Sequence, residues 1–198
     1  FMNLPNRLTL FRIILIPLIV LLYLFPYAQV GIEVPSYMVA GVSISLINMI
    51  NLVIYIIAAI TDAIDGHYAR KHHMITTFGK FADPIADKLL TTTMFLLFLS
   101  RGIIPVIPVI LMIARDTVVD GARMIASSNG KVVAAGMMGK LKTVLQMVTV
   151  ALILLNNLPF EILHLPISLV LLWLAAFVSV LSGIQYLNQL KEDIFETI

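Results

Sequence analysis

Four aspartates in the stretch DAIDGHYARKHHMITTFGKFADPIAD, residues 62 to 87, are the side chains best suited to chemistry. Asp62 and Asp65 are spaced i, i+3, and Asp83 and Asp87 are spaced i, i+4. Residues at these spacings lie on one face of a helix, so each pair can direct both carboxylates to one point. Two such pairs facing each other would form a strongly anionic pocket, and oxygen ligands suit hard divalent cations such as Mg²⁺ or Mn²⁺. The spacing therefore predicts a metal site.

The composition places this pocket in a membrane protein. Hydrophobic residues make up 60% of the 198 residues and charged residues only 12%, whereas a soluble domain has about 25% charged residues. Cysteine is absent, which excludes a disulfide framework and a thiolate zinc site. The net charge of +2 is too small to indicate a nucleic-acid polymer as a partner. The lipid bilayer is the expected environment.

Six apolar stretches are read as transmembrane helices, at about 20 residues per span. They cover approximately residues 8–25, 37–61, 81–100, 103–123, 136–156 and 163–187. No linker or internal repeat divides them, so we predict an all-α membrane protein with a single transmembrane domain over residues 2–198. If the spans alternate, the basic residues gather on one side and only Arg101 falls on the other. The positive-inside rule then places both termini and the aspartates at the cytoplasmic face of a multi-pass plasma-membrane protein.

The third span contains too few apolar residues to cross the hydrocarbon core without help. Residues 89–100 extend about 18 Å, against a core of ~30 Å. Asp83, Asp87 and Lys88 must therefore complete this span, and the same reasoning applies to the charged second half of span four. Ionisable groups at membrane depth face a bundle interior or a wet cavity. We predict a polar cavity that opens to the cytoplasm and is lined by spans two to five.

Three cations at the expected cytoplasmic ends of spans four and five are candidates for binding an anion. Arg115, Arg123 and Lys140 can converge on an acceptor that carries a phosphate, such as a sugar or polyol phosphate. Two aspartates in the same region leave alternatives open. Asp116 and Asp120 either take part in the site or form structural ion pairs with Arg123, at spacings i+7 and i+3.

Other cations have a simpler interpretation. Lys131 and Lys142 are expected to be positive-inside anchors and not ligands. Arg12 is expected to extend along its helix so that its charge reaches the membrane surface.

The aspartate stretch resembles the signature of the CDP-alcohol phosphatidyltransferases, D-x2-D-G-x2-A-R-x8-G-x3-D-x3-D. Its fixed positions are all present with the same spacing: Asp62, Asp65, Gly66, Ala69, Arg70, Gly79, Asp83 and Asp87. Three further segments resemble the phosphatidylglycerophosphate synthases of that family: LPNRLTLFR near the start, GKFADPIADKLL, and GKLKTVLQM at residues 139–147. The resemblance extends over most of the chain.

The resemblance implies both cofactors and roles. Two divalent ions, Mg²⁺ or Mn²⁺, would be held by Asp62, Asp65 and Asp83, with Asp87 sharing the second ion. Asp87 is also the expected general base, which takes the proton of the acceptor alcohol while the alcohol oxygen attacks the β-phosphorus of the CDP-lipid.

Six positions of the signature are expected to bind the nucleotide of the CDP-lipid: Asp62, Asp65, Gly66, Ala69, Arg70 and Gly79. Gly66 and Ala69 lack large side chains, which leaves room for a nucleotide against the helix. Arg70 can pair with a phosphate through its charged fork.

These expectations lead to a phosphatidyltransferase that uses CDP-diacylglycerol and sn-glycerol 3-phosphate, releases CMP and, like its relatives, forms a homodimer. One alternative keeps the chemistry but takes inositol phosphate, serine or phosphatidylglycerol as the acceptor. An alternative from another class is a small ion-coupled transporter, which would also carry acids within the membrane. Against the transporter, the acids here cluster near one face and the other face has no matching acids.

Overall fold

The computed structural model describes residues 4–71, 77–128 and 136–190, without the side chains of residues 4, 5, 63, 65–71, 77–84, 87 and 128. Its described part contains six α-helices in chain order: α1 Leu4–Leu24, α2 Leu46–Lys71, α3 Thr77–Ser100, α4 Val106–Ser128, α5 Met137–Leu154 and α6 Ile167–Gln189. Each helix overlaps one of the six apolar stretches. Two short 3-10 helices, Tyr27–Val30 and Phe160–Leu163, lie in the connections.

The described part of the chain is mostly helical, as predicted, and the segment before α2 adds a short β-hairpin that the all-α prediction did not include. Ser36–Val39 (β1) and Val42–Ser45 (β2) pair as an antiparallel hairpin. Ala40 and Gly41 connect them with φ angles of 50° and 83°. A two-residue turn with positive φ at both positions matches the twist of a hairpin. The second helix therefore starts at Leu46, and the expected start of the span near residue 37 was wrong.

The chain divides into two compact units. The first contains Phe1–Arg101 and Ala151–Leu165, and the second contains Gly102–Val150 and Pro166–Ile198. In the first unit α1 packs against α2 and α3, and in the second unit α4 packs against α6. The single domain over residues 2–198 stays a prediction.

The first unit joins the ends of α1 and α3 through aromatic and cationic contacts. Tyr23 and Phe98 meet edge to face, with ring centroids 6.1 Å apart. Arg101, just after α3, donates from Nη2 to the carbonyl oxygen of Tyr23 at 2.6 Å, and its guanidinium lies 5.3 Å from the centroid of the Tyr23 ring. The last carbonyls of a helix have no partner within the helix. Arg101 therefore caps the carboxyl end of α1.

The second unit has a buried seam between α4 and α6. Val119, Ala122 and Ala126 of α4 pack against Tyr186 and Leu190 of α6. Small residues at such a seam let two helix backbones approach closely. The packing places against α6 the face of α4 that carries Arg115 and Arg123, two of the three predicted acceptor cations.

Three helices in the described part of the chain are long and apolar enough to cross a membrane: Asn6–Leu24, Met137–Leu154 and Ile167–Gln189. Shorter apolar stretches, Leu46–Asp62 and Lys88–Ser100, lie in α2 and α3. Large hydrophobic side chains such as Leu21, Phe177 and Met124 are exposed. Extensive exposed apolar surface marks contact with lipid or protein. The described helices are therefore those of a membrane protein.

Candidate active site

The four aspartates lie on two helices, as the spacing predicted. Helix α2 carries Asp62 and Asp65, and helix α3 carries Asp83 and Asp87. Both pairs lie on helical backbone, so the two aspartates of each pair share one face of their helix. The side chains of Asp65, Asp83 and Asp87 lie outside the described residues, so the convergence of the four carboxylates stays a prediction.

The nucleotide positions lie on the same two helix ends. Gly66, Ala69 and Arg70 belong to the last turns of α2, and Gly79 belongs to the first turn of α3. Their surroundings are outside the described side chains, as is Lys131. Among the side chains that are described, no three His, Cys, Asp or Glu residues come together. The metal site therefore rests on the type and helical spacing of the aspartates.

The first aspartate of the signature forms an ion pair with helix α1. Nη1 of Arg12 donates to Oδ1 of Asp62. The Arg12 side chain is 0% exposed and that of Asp62 is 37% exposed. The expectation that Arg12 reaches the membrane surface was wrong, because its charge is neutralised inside the unit. Arginine stays protonated in proteins, so burial requires a partner of this kind.

Arg12 is the last of three buried polar residues on one face of α1. Asn6, Thr9 and Arg12 follow one another at intervals of three, and their exposures are 9%, 0% and 0%. This spacing places them on adjacent turns of one face. Asn6 and Thr9 were not predicted to be part of the site, although polar residues at every third position of LPNRLTLFR are a visible signal. The hydroxyl of Thr61, next to Asp62, donates to the carbonyl of Ile57 within α2 at 2.6 Å.

In the second unit Arg115 is held at both ends of its fork. Nη1 donates to Oδ1 of Asp116 at 2.9 Å, and Nη2 donates to Oγ of Ser182 on α6 at 2.7 Å. The Arg115 side chain is 14% exposed. A Cβ atom on Gly183 would lie 2.8 Å from Cγ of Arg115. The glycine therefore leaves the space that the stem of Arg115 occupies.

Asp116 has a second partner that the sequence did not indicate. Nζ of Lys142 on α5 donates to both carboxylate oxygens of Asp116, at 2.6 Å for Oδ2. The Lys142 side chain is only 7% exposed. The interpretation of Lys142 as an anchor was therefore wrong. The proposed alternative of a structural ion pair holds for Asp116, but with Arg115 and Lys142 and not with Arg123.

The two other predicted acceptor cations are more accessible. Arg123 is exposed on α4, where Nε donates to the hydroxyl of Tyr186 at 3.4 Å and the guanidinium lies 5.6 Å from the ring centroid. Lys140 is exposed on the first turn of α5. Asp120 lies half-buried on α4, one turn before Arg123. The second unit thus presents Arg123 and Lys140 at its surface and holds Arg115 in a fixed network.

A family model described as CDP-alcohol phosphatidyltransferase matches residues 2–181 of the chain. The chain belongs to the CDP-alcohol phosphatidyltransferase family. This confirms the resemblance that the aspartate signature carries. The match includes all four aspartates and the helices that bear them.

Relatives within the CDP-alcohol phosphatidyltransferase family are similar over almost their whole length. A Bacillus subtilis (strain 168) protein named CDP-diacylglycerol--glycerol-3-phosphate 3-phosphatidyltransferase is 41% identical over 187 residues, covering 94% of each chain. The Rickettsia typhi protein of the same name is 34% identical over 190 residues, covering 96% of this chain and 97% of the relative. The Salmonella typhimurium protein of that name is 33% identical over 199 residues, covering 98% of each.

Proposed function

We propose that this chain transfers the phosphatidyl group of CDP-diacylglycerol to sn-glycerol 3-phosphate, giving phosphatidylglycerophosphate and CMP. The observation that carries the proposal is the similarity, over 94% of both chains, to a relative named for these two substrates. The cations of α4 and α5 give a physical reason for the acceptor. An acceptor with a phosphate can pair with Arg115, Arg123 and Lys140, whereas serine carries no phosphate for them to bind.

The reaction exchanges one phosphorus–oxygen bond for another. The acceptor hydroxyl oxygen bonds to the β-phosphorus of CDP-diacylglycerol, and the bond from that phosphorus to the bridging oxygen of the pyrophosphate breaks. The bridging oxygen leaves with CMP. The hydroxyl proton passes to the carboxylate of Asp87, which acts as general base. A carboxylate beside cations is too weak a base to remove an alcohol proton early, so the proton is transferred together with the late development of charge on the acceptor oxygen.

The aspartates would also hold the cofactor. Their oxygen-only donor set and helical spacing fit two Mg²⁺ or Mn²⁺ ions on Asp62, Asp65, Asp83 and Asp87. When bound, such ions supply charge stabilisation to the phosphates and to the leaving CMP. Arg12 neutralises part of the negative charge of Asp62 through its contact with Oδ1.

The nucleotide would lie along the ends of α2 and α3. Gly66, Ala69 and Gly79 present little side-chain volume there, and Arg70 supplies a charged fork for a phosphate. All six helices span the plasma membrane in the proposed arrangement, with both termini and the polar cavity at the cytoplasm, as the distribution of basic residues favours. The enzyme acts as a homodimer.

The test is CMP release by the purified protein with CDP-diacylglycerol and Mg²⁺. Glycerol 3-phosphate, inositol phosphate, serine and phosphatidylglycerol are supplied one at a time, and the Asp87→Asn variant serves as the control for contaminating activity. Release with glycerol 3-phosphate alone is expected. Release with a different acceptor would retain the aspartate chemistry and reject the proposed acceptor. Absence of release with every acceptor would reject the transfer reaction.

A further inference from the structure

Arg115 makes more contacts with the protein than the binding of a substrate phosphate alone would require. Both terminal nitrogens of its guanidinium are engaged, by Asp116 on its own helix and by Ser182 on α6. A guanidinium is planar, so two bonds from different directions set the plane of the whole group. Its stem fills the space that Gly183 leaves on α6. These contacts hold Arg115 in one orientation.

The charges of the network explain why Lys142 is part of it. Arg115 and Asp116 alone would be a neutral pair with little attraction for a phosphate. Lys142 adds a second positive charge to the same carboxylate, within hydrogen-bond distance of both oxygens. The three groups together therefore carry one net positive charge. Because all three are largely buried, removal of Lys142 leaves Arg115 and Asp116 as a neutral pair, and removal of Asp116 takes from both cations the carboxylate that they share.

We propose that Asp116, Lys142 and Ser182 are positioning residues that orient Arg115 and keep its positive charge available to the acceptor phosphate. The proposal rests on the function proposed above and extends it, since the sequence indicated no part in the site for Lys142 or Ser182 and left the role of Asp116 open. Lys142 preserves the net charge, Asp116 anchors the guanidinium, and Ser182 sets its plane. Together they determine the KM for glycerol 3-phosphate and leave the KM for CDP-diacylglycerol unchanged.

The same helices supply matched controls. One turn along α4 and α5, the amide nitrogen of Gln146 contacts the sulfur of Met112 at 3.1 Å, which repeats the geometry of Lys142 and Asp116 without charge. On α6, Ser179 is 0% exposed, and Ser182 one turn later is also buried. The hydroxyl oxygen of Ser179 has no hydrogen-bond partner in the described part of the chain. Gln146→Met and Ser179→Ala therefore change buried polar groups at the same interfaces and leave Arg115 untouched.

The first experiment compares Ser182→Ala with Ser179→Ala in steady-state kinetics of the purified full-length enzyme. Ser182→Ala removes one hydrogen bond from a charged donor, so it should raise the KM for glycerol 3-phosphate about threefold to tenfold. The turnover number and the KM for CDP-diacylglycerol should stay close to those of the parent enzyme, as should every parameter of Ser179→Ala. Equal effects of the two substitutions would overturn the role of Ser182, because only general packing would then be at work.

The second experiment tests the effect of the net charge of Arg115, Asp116 and Lys142. Lys142→Met leaves the neutral pair of Arg115 and Asp116 and should raise the KM for glycerol 3-phosphate about tenfold or more. Adding Asp116→Asn to Lys142→Met restores one net positive charge and should recover most of this loss, and Lys142→Arg alone should behave nearly like the parent. Gln146→Met should have little effect. If the KM of the double variant for glycerol 3-phosphate is no lower than that of Lys142→Met, the charge argument is wrong. If Lys142→Met does not fold, the comparison of Ser182→Ala with Ser179→Ala still decides the positioning role.

Failure of this proposal can be told apart from failure of the proposed function. If the parent enzyme uses glycerol 3-phosphate but the Ser182 and Lys142 variants keep the parental KM, the reaction stands and the positioning role is wrong. If the parent enzyme uses only an acceptor without phosphate, the proposed function is wrong, and the effect of these variants on the acceptor KM should disappear with it.

Discussion

Arg12 of α1 forms an ion pair with Asp62 of α2, and the arginine is completely buried while the aspartate is partly open. Helix α1 carries no residue of the aspartate signature. The pair joins this helix to Asp62, the first aspartate of the signature. It fixes Oδ1 of Asp62 relative to α1. Helix α1 therefore contributes to the proposed metal site by holding a ligand in place.

Replacement of Arg12 by Gln should weaken both folding and metal binding. Loss of one partner of a buried pair costs about 3 kcal/mol, and an untethered Asp62 should require more Mn²⁺ or Mg²⁺ for saturation. Thermal unfolding in detergent and Mn²⁺ binding followed by electron paramagnetic resonance measure the two effects separately. Arg7 is exposed on the same helix, so Arg7→Gln is the control. Identical behaviour of the two variants would remove Arg12 from the site.

Removal of divalent ions should abolish the reaction. The predicted ligands are four carboxylates that cannot remain ionised close together without a cation. Treatment with EDTA should stop CMP release, and readdition of Mg²⁺ or Mn²⁺ should restore it. Full activity of the chelator-treated enzyme, with its metal content checked by elemental analysis, would contradict the metal site.

Replacement of Asp87 by Asn should abolish turnover and spare lipid binding. An amide cannot accept the proton of the acceptor alcohol, and loss of a general base lowers rates by about 100-fold or more. Turnover is followed by CMP release, and binding of CDP-diacylglycerol is followed by the thermal shift that the lipid produces. Near-normal turnover would exclude Asp87 as the base.

Replacement of Arg123 or Lys140 by Ala should affect the acceptor more than the lipid. Each change removes a cation from the exposed surface of the second unit, and the KM for glycerol 3-phosphate should rise about tenfold. The KM for CDP-diacylglycerol should change little. Tyr186→Phe keeps the ring beside Arg123 and removes only the hydroxyl that accepts from Nε at 3.4 Å, so it should change the acceptor KM in the same direction but less. Equal changes in the two KM values would argue against an acceptor site here.

A methyl group at Gly183 should displace Arg115. The added Cβ would lie 2.8 Å from Cγ of Arg115, which is too close for two carbon atoms. Gly183→Ala should therefore lower stability by about 1–3 kcal/mol and raise the KM for glycerol 3-phosphate. Gly121 on α4 has open space around it, so Gly121→Ala should be neutral or slightly stabilising. Thermal unfolding and acceptor kinetics of both variants test the expectation.

The helices and the aspartate positions could be predicted because they depend on local patterns. Apolar stretches separated by polar connections gave six helices, and the i, i+3 and i, i+4 spacings placed each aspartate pair on one helix. The hairpin before α2 was missed because β1 and β2 are apolar enough to continue the span. Its turn depends on Ala40 and Gly41 adopting positive φ angles, which hydrophobicity does not reveal.

The partners of the charged residues could not be predicted because they come from other helices. Asp116 was compared only with Arg123, further along α4, whereas Lys142 lies 26 residues away on α5. Ser182 lies 67 residues from Arg115, and Asp62 lies 50 residues from Arg12. Pairings at such separations depend on how helices pack, and no spacing rule within one helix contains that information.

Arg101, which caps α1, also bears on how the chain inserts into a membrane. In the proposed orientation this residue lies on the side opposite the aspartates, so its charge must be carried through the hydrocarbon during insertion, at a cost of roughly 2.5–3.5 kcal/mol. Helix α1 is synthesised before α3, and the carbonyl and ring of Tyr23 are therefore present when Arg101 arrives. Because the carbonyl of Tyr23 is synthesised before Arg101, the translocated arginine gains a hydrogen-bond partner only where α1 has already been inserted in the correct direction.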